Sequence, residues 1–316
     1  MLHYEITIWN WIIFLILITI MLIIDLGVFN KKSHEIKIKE ALIWSAVWIA
    51  VALLFNLGIY IFIDKIKAIE FFTAYIVEKS LSVDNLFVFV MLFSYFNVDV
   101  KYQHKVLFWG IIGAIGMRAV LIFAGIALLN TFNWIIYVFG IFLIYTGIKM
   151  VFQKEHVPHP EKNPLVKIFK KIFPVTDQTY NGKFFVKLNN AGTFATPLFI
   201  ALLVIEFSDL IFAVDSIPAV LAISKDSFIV FTSNIFAILG LRALYFAIAG
   251  IVKYFYYLKY GLSIILVFIG SKMILNEFYD HLIGNLASLA IILSVLTISI
   301  IASLIFPESK KNKLNN

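Results

Sequence analysis

Three carboxylates sit where a bilayer should leave none. The segment TPLFIALLVIEFSDLIFAVDSIPAVLAI, residues 196–223, is long and apolar enough to cross a membrane, yet its middle holds Glu206, Asp209 and Asp215. A charged side chain at the centre of a spanning helix costs roughly 2.5–3.5 kcal/mol on insertion scales, so three in one segment need a reason. A cation path is one. The competing structural reasons are the cap of a broken helix or a pair with a buried arginine. A second segment, EFFTAYIVEKSLSVDNLFVFVMLF (70–93), encloses Glu78, Lys79, Asp84 and Asn85. On a continuous helix Glu78, Ser82 and Asn85 share one face, with Asp84 about 100° round from it. Lys79 is either a neutralising partner or a side chain reaching a polar cavity.

The donors are all oxygens: Glu78, Asp84, Asn85, Glu206, Asp209 and Asp215, with the Ser82, Ser208 and Ser216 hydroxyls nearby in sequence. Such a set suits Mg²⁺, Ca²⁺ or Mn²⁺, and zinc less well without histidine. Arg118 and Arg242 lie mid-span and call for carboxylate partners. Five acids against two arginines leave a negative surplus that suits a divalent cation, or protons exchanging with one. Asp25, near the end of the first span, reads as an interfacial partner of Lys31 or Lys32. His156 and His159 read as solvated loop residues.

Those residues need a scaffold, and the composition says which kind. Of the 316 residues 62% are hydrophobic and 14% charged, and mean hydropathy is +0.95. A soluble domain carries about a quarter charged residues. Apolar runs recur at 6–29, 41–63, 70–96, 105–129, 134–153, 196–223, 228–251, 256–277 and 285–306, which predicts an all-α polytopic membrane protein of about nine transmembrane helices. The first run reads as a retained helix, without the basic leader and cleavage site of a signal peptide. The sequence has no cysteine, so thiol chemistry and disulfides are excluded. The net charge of +7 comes from lysines spread through short loops, where they set topology and form no nucleic-acid patch. Their bias predicts an amino terminus outside and a carboxyl terminus in the cytoplasm of a cell-membrane protein.

Spans three to five (about 70–153) and six to eight (about 196–277) repeat each other. SVDN (82–85) aligns with AVDS (213–216), which sets Glu78 on Asp209. GMRA (116–119) aligns with GLRA (240–243), and TGIKM (146–150) with IGSKM (269–273). Three spans per unit give the two units opposite orientations, the inverted repeat of a transporter with its site at the repeat interface. The flanking helices are 6–29, 41–63 and 285–306. On an unbroken helix Asp215 lies about 180° from Glu206. Pro218 removes a backbone hydrogen bond, so a break or kink is expected at 215–217, freeing carbonyls for the site. The loop 154–195 contains PLVKIFKKIF, expected as a short helix on the inner leaflet, and NGK and NNAG, expected as turns.

At EKSLSVDNLFVF (78–89), VIEFSDLIFAVDSIPA (204–219), GLRALYF (240–246) and EKNPLVKIFKKIFPVTD (161–177) the chain resembles the TerC family of integral membrane proteins, and within it the Alx-like manganese-export branch. The likeness covers nearly the whole chain. It implies Mn²⁺ efflux across the cell membrane, with Glu78, Asp84, Glu206, Asp209 and Asp215 as the essential acids. The expected function is therefore export of a divalent cation, Mn²⁺ or Ca²⁺, as substrate, with no permanently bound cofactor and no catalysis. The expected partners are the cation and the lipid bilayer; the oligomeric state is not legible. One alternative is a membrane scaffold or insertion factor linked to metal or tellurite stress. Another is an intramembrane aspartyl protease with Asp84 and Asp215 as its dyad, which lacks a Gly-x-Gly-Asp segment and leaves the other acids unused.

Overall fold

Asp64 starts the helix that carries the first acids: its side chain accepts from the Ile66 and Lys67 amides, at 2.6 and 3.2 Å, and so caps two donors that the first turn leaves open. The computed structural model describes residues 7–29, 38–152, 164–176, 180–188, 192–249, 257–279 and 283–306. In chain order the helices are α1 (Ile8–Phe29), α2 (Ile38–Phe62), α3 (Lys65–Tyr95), α4 (Val100–Thr131), α5 (Ile135–Phe152) and α6 (Pro164–Ile172). A hairpin follows, β1 (Phe185–Leu188) and β2 (Gly192–Ala195), then α7 (Pro197–Leu221), α8 (Ser227–Leu239), α9 (Leu241–Ile248), α10 (Leu258–Phe278) and α11 (Asn285–Ile305).

Among the described residues seven spans are long and apolar enough to cross a bilayer: α2, α4, α5, α7, α8 continued into α9, α10 and α11. The apolar part of α1 is shorter, Ile8–Ile24. The 31 residues of α3 include the charges at Glu78 and Lys79. The protein is a polytopic all-α membrane protein.

Helix packing is set where side chains are small. α5 lies closest to α10: a Cβ on Gly270 would stand 2.6 Å from the Gly140 carbonyl oxygen, and one on Gly147 2.8 Å from that of Ser263. The Ser263 hydroxyl donates to the Gly147 carbonyl at 2.5 Å. α4 packs on α7 and α3 on α8. At one end Phe14, Phe55, Phe71, Phe228 and Phe236 interlock α1, α2, α3 and α8, with ring centroids 4.8 Å apart for Phe55 and Phe236.

One local expectation is corrected. α7 runs unbroken through Pro218 to Leu221. The proline stands within the last turn, where only the Val214 carbonyl loses its amide donor, and the helix still closes with Ala222 N to Pro218 O at 3.0 Å. The discontinuity falls instead at Gly240, with φ −79° and ψ −1°, between α8 and α9. In the long loop, α6 forms where expected, but its aromatic side is docked on protein: Phe169 lies 5.2 Å from Phe199 of α7, and Phe173 5.7 Å from Phe185 of β1. Between the strands' register and α4, Asn181 and Gly182 take positive φ, 41° and 72°, and the Gly182 carbonyl accepts from Lys105 Nζ at 2.7 Å. The turn at 181–183 is thus as expected; the paired strands after it were not.

Candidate functional site

Arg118, on α4, is 1% exposed and four of its N–H groups are taken. Nη1 donates to Glu78 Oε1 of α3 and, at 3.1 Å, to Asn234 Oδ1 of α8. Nε and Nη2 fork onto Asp209 of α7, at 3.3 Å to Oδ2 and 3.2 Å to Oδ1. A planar guanidinium fits a carboxylate at two points in a way that lysine does not. Four helices therefore meet on one cation, which Glu78 and Asp209 share. Glu78 is 1%, Asp209 4% and Asn234 0% exposed.

The cluster is not saturated. Among the described residues, Glu78 Oε2, Asn234 Nδ2, Ser82 Oγ and Ser216 Oγ are buried without a hydrogen-bond partner. Buried polar atoms are normally paired, directly or through water. One turn before Asp209, Glu206 turns its carboxylate against Gly113 of α4, where any Cβ would overlap it. Glu206 Oε2 is likewise buried and unpaired among the described residues. Glu206, Asp209, Arg242 and Gly110 line a cavity of about 20 Å³, room for a single water-sized guest. Arg242, second residue of α9, is 3% exposed.

The other expected site residues lie as follows. Asp215 sits on the far side of the continuous α7, partly exposed, and accepts a long hydrogen bond, 3.5 Å, from Thr146 of α5. Lys149, three residues further along α5, is the cation whose field reaches it. Asn85 and Ser82 are buried on α3. The side chains of Asp84 and Asp25 lie outside the described residues. Among the described residues no three acids or histidines stand close enough to hold one metal ion. Glu78, Asp209 and Glu206 are brought together with Arg118; Asp215 is held apart.

Two participants escaped the reading of the sequence. Asn234 is a lone amide in an apolar span, a weak signal by itself. Gly113 is one glycine among apolar residues, and its contact with Glu206 has no local signature. Lys79 resolves as a cap: its ammonium donates to the Ala237 carbonyl at 3.1 Å, at the α8 end, and lies 2.7 Å from where a Gly240 Cβ would be.

Long apolar helices enclosing a dry arginine–carboxylate cluster define a multi-pass integral membrane protein. The family described as "Integral membrane protein TerC family" matches residues 63–311, from the cap of α3 past the end of α11, and the chain belongs to that family. It is 48% identical over 295 residues to "Uncharacterized membrane protein STKORF319" of Myxococcus xanthus, covering 93% of this chain and 92% of that one. It is 45% identical over 300 residues to "Putative membrane-bound redox modulator Alx" of Photorhabdus laumondii, covering 92% and 93%. The protein of the same name in Escherichia coli K12 is 44% identical over 300 residues, covering 92% of each. No solved structure matches.

Proposed function

We propose that the protein exports a divalent cation, Mn²⁺, across the cell membrane through the carboxylates gathered at Arg118, with protons as the exchanging ion. The observation that carries this is the convergence of Glu78 from α3 and Asp209 from α7 on one dry guanidinium, with Glu206 beside an adjoining cavity. In this reading Arg118 is the internal cation that offsets one of the two acids between turnovers, and a proton on the other completes the balance. A metal ion arriving beside Glu206 competes with the guanidinium for Asp209, and the carboxylate oxygens offered there suit Mn²⁺, Mg²⁺ or Ca²⁺. The choice of Mn²⁺ rests on the family resemblance. Asp84 and Asp215, related by the repeat, would be stations further along the path.

An inverted repeat belongs to the same proposal. The main helix contacts support it: exchanging α3, α4 and α5 with α7, α8–α9 and α10 turns the α3–α8 contact into α7–α4 and leaves α5–α10 as it is. The match extends to residues. Gly147 corresponds to Gly270, and seven residues earlier (147 − 7, 270 − 7) stand Gly140 and Ser263, so the Gly140–Gly270 approach is the counterpart of the Ser263–Gly147 hydrogen bond. The lysine bias supports the amino terminus outside and the carboxyl terminus in the cytoplasm. The name redox modulator carried by the relatives fits an indirect effect, through a redox-active ion, in a sequence without cysteine.

The test is Mn²⁺ flux into dye-loaded vesicles containing the purified protein, with and without a pH gradient. Flux is expected in the parent and lost in Asp209→Asn. A parent that moves no divalent cation, or an Asp209→Asn variant that moves it at the parental rate, refutes the proposal.

A further inference from the structure

A second polar network lies away from Arg118, at the end of the bundle where α3, α8 and α11 begin and α10 ends. Glu70 is its hub. Its Oε2 accepts from Ser224 Oγ at 2.6 Å and from Lys67 Nζ at 3.3 Å, and its Oε1 accepts from Asn285 Nδ2 at 3.2 Å. Lys67 Nζ also lies 3.3 Å from Asp226 Oδ2, while the other oxygen of Asp226 caps α8 through the Phe228 and Ile229 amides, at 3.0 and 3.3 Å. Asn285 Oδ1 in turn accepts from Lys272 Nζ of α10 at 3.4 Å. One carboxylate thus ties α3 of the first repeat to the α7–α8 linker, to α11 and, through Asn285, to α10.

Its charges balance, Lys67 and Lys272 against Glu70 and Asp226, so the network has no surplus with which to attract a metal ion. It also differs from the Arg118 cluster in wetness. The Lys67, Asp226 and Glu70 side chains are 33%, 20% and 12% exposed, against 1% for Arg118 and Glu78. Ion pairs touching water contribute little net free energy and separate easily, whereas removing one partner of a dry pair is costly. The wet network is therefore the one suited to repeated opening. Its position agrees. Glu70 precedes Glu78 by eight residues, about 12 Å along α3. The cavity beside Glu206 lies on the opposite side, lined by Phe89 beyond Glu78 and by Leu107 before Arg118. Between Glu70 and the cluster, Phe71, Ala74 and Thr232 are buried, so this end is shut.

We infer that Glu70 is a gating residue of the transport cycle: its hydrogen bonds hold the outer end closed while the acids are reached from the cavity side, and their release opens the outer path. The inference rests on the transport reading. It is tested on the full chain in vesicles, where a sequence without cysteine gives no background labelling. In an E70C/S224C variant a short bifunctional thiosulfonate replaces the latch by a covalent bridge; Mn²⁺ flux is expected to fall about tenfold on cross-linking and to return with reductant. Independently of flux, T232C is expected to react with an impermeant maleimide from the outer side about tenfold faster when E70A is added. Equal labelling rates, or full flux through cross-linked protein, overturn the inference. If the parent moves no Mn²⁺ the transport reading fails, and the labelling rates alone decide on the gate.

Discussion

Arg118 grips Asp209 at two points, Nε on one carboxylate oxygen and Nη2 on the other, while its remaining donors hold Glu78 and Asn234. The two acids come from different helices, α3 and α7. A lone acid buried at this depth would not be tolerated ionised; the arginine offsets one of the two negative charges that Glu78 and Asp209 can carry. The same contact serves packing, because it fixes α4 against both α3 and α7.

Replacing Arg118 by glutamine leaves two buried acids without a cation, a change that costs about 3–5 kcal/mol when one partner of a dry pair is removed. Thermal unfolding of the detergent-solubilised protein should show a large fall in Tm for Arg118→Gln and an intermediate one for Arg118→Lys, which keeps the charge and loses the fork. An unchanged Tm in Arg118→Gln would show that the acids find other compensation.

Asp209 and Asp215 stand on one helix and should behave differently. Asp215 is partly exposed with one long hydrogen bond to Thr146, so Asp215→Asn is expected to change stability by less than about 1 kcal/mol. Asp209→Asn removes half of a dry fork, with a loss of about 3 kcal/mol or more. Denaturation of both variants under one condition gives the comparison, and equal losses would contradict the separate placement of Asp215.

Much of this was readable beforehand because its causes are local. Apolar runs of spanning length fix the helices, and Glu78 and Asp209 stood out as acids inside such runs. The need of Arg118 for a carboxylate follows from its position in a span. What could not be read depends on contacts between distant segments. Pro218 looked like the breaker of α7, but the helix continues through it to Leu221 and closes with Ala222 N on the Pro218 carbonyl. At the end of α8 beside Gly240, the Ala237 carbonyl accepts from Lys79, a contact across 158 residues that no local signal announces. The alternation of lysine and apolar residues in α6 fitted a lipid surface equally well, until Phe199 and the hairpin supplied a protein one.

Gly113 and Gly116 make a matched pair on α4. A methyl at Gly113 would collide with the Glu206 carboxylate, whereas at Gly116 it meets nothing within 4 Å. Alanine is favoured over glycine in a helix by about 1 kcal/mol. Gly116→Ala should therefore leave stability unchanged or raise it, with flux intact. Gly113→Ala should push α4 from α7 or drive Glu206 from its seat, lowering flux with little gain in stability. Parallel Tm and flux measurements decide, and two variants that behave alike would remove Gly113 from the site.

Lys79 and Gly240 are coupled in the same way. Lys79→Met leaves the Ala237 carbonyl without its donor, at a cost of about 1–3 kcal/mol for a buried unpaired group. Gly240→Ala places a methyl 2.7 Å from the Lys79 ammonium and 3.1 Å from Trp48 Cβ of α2. Each single variant should lower Tm, since each disturbs the junction that sets the start of α9 and with it Arg242. In the double variant the clash with the ammonium is gone, so its loss should be smaller than the sum of the two. A double-mutant cycle measures that difference, and strict additivity would mean that the ammonium does not hold the junction.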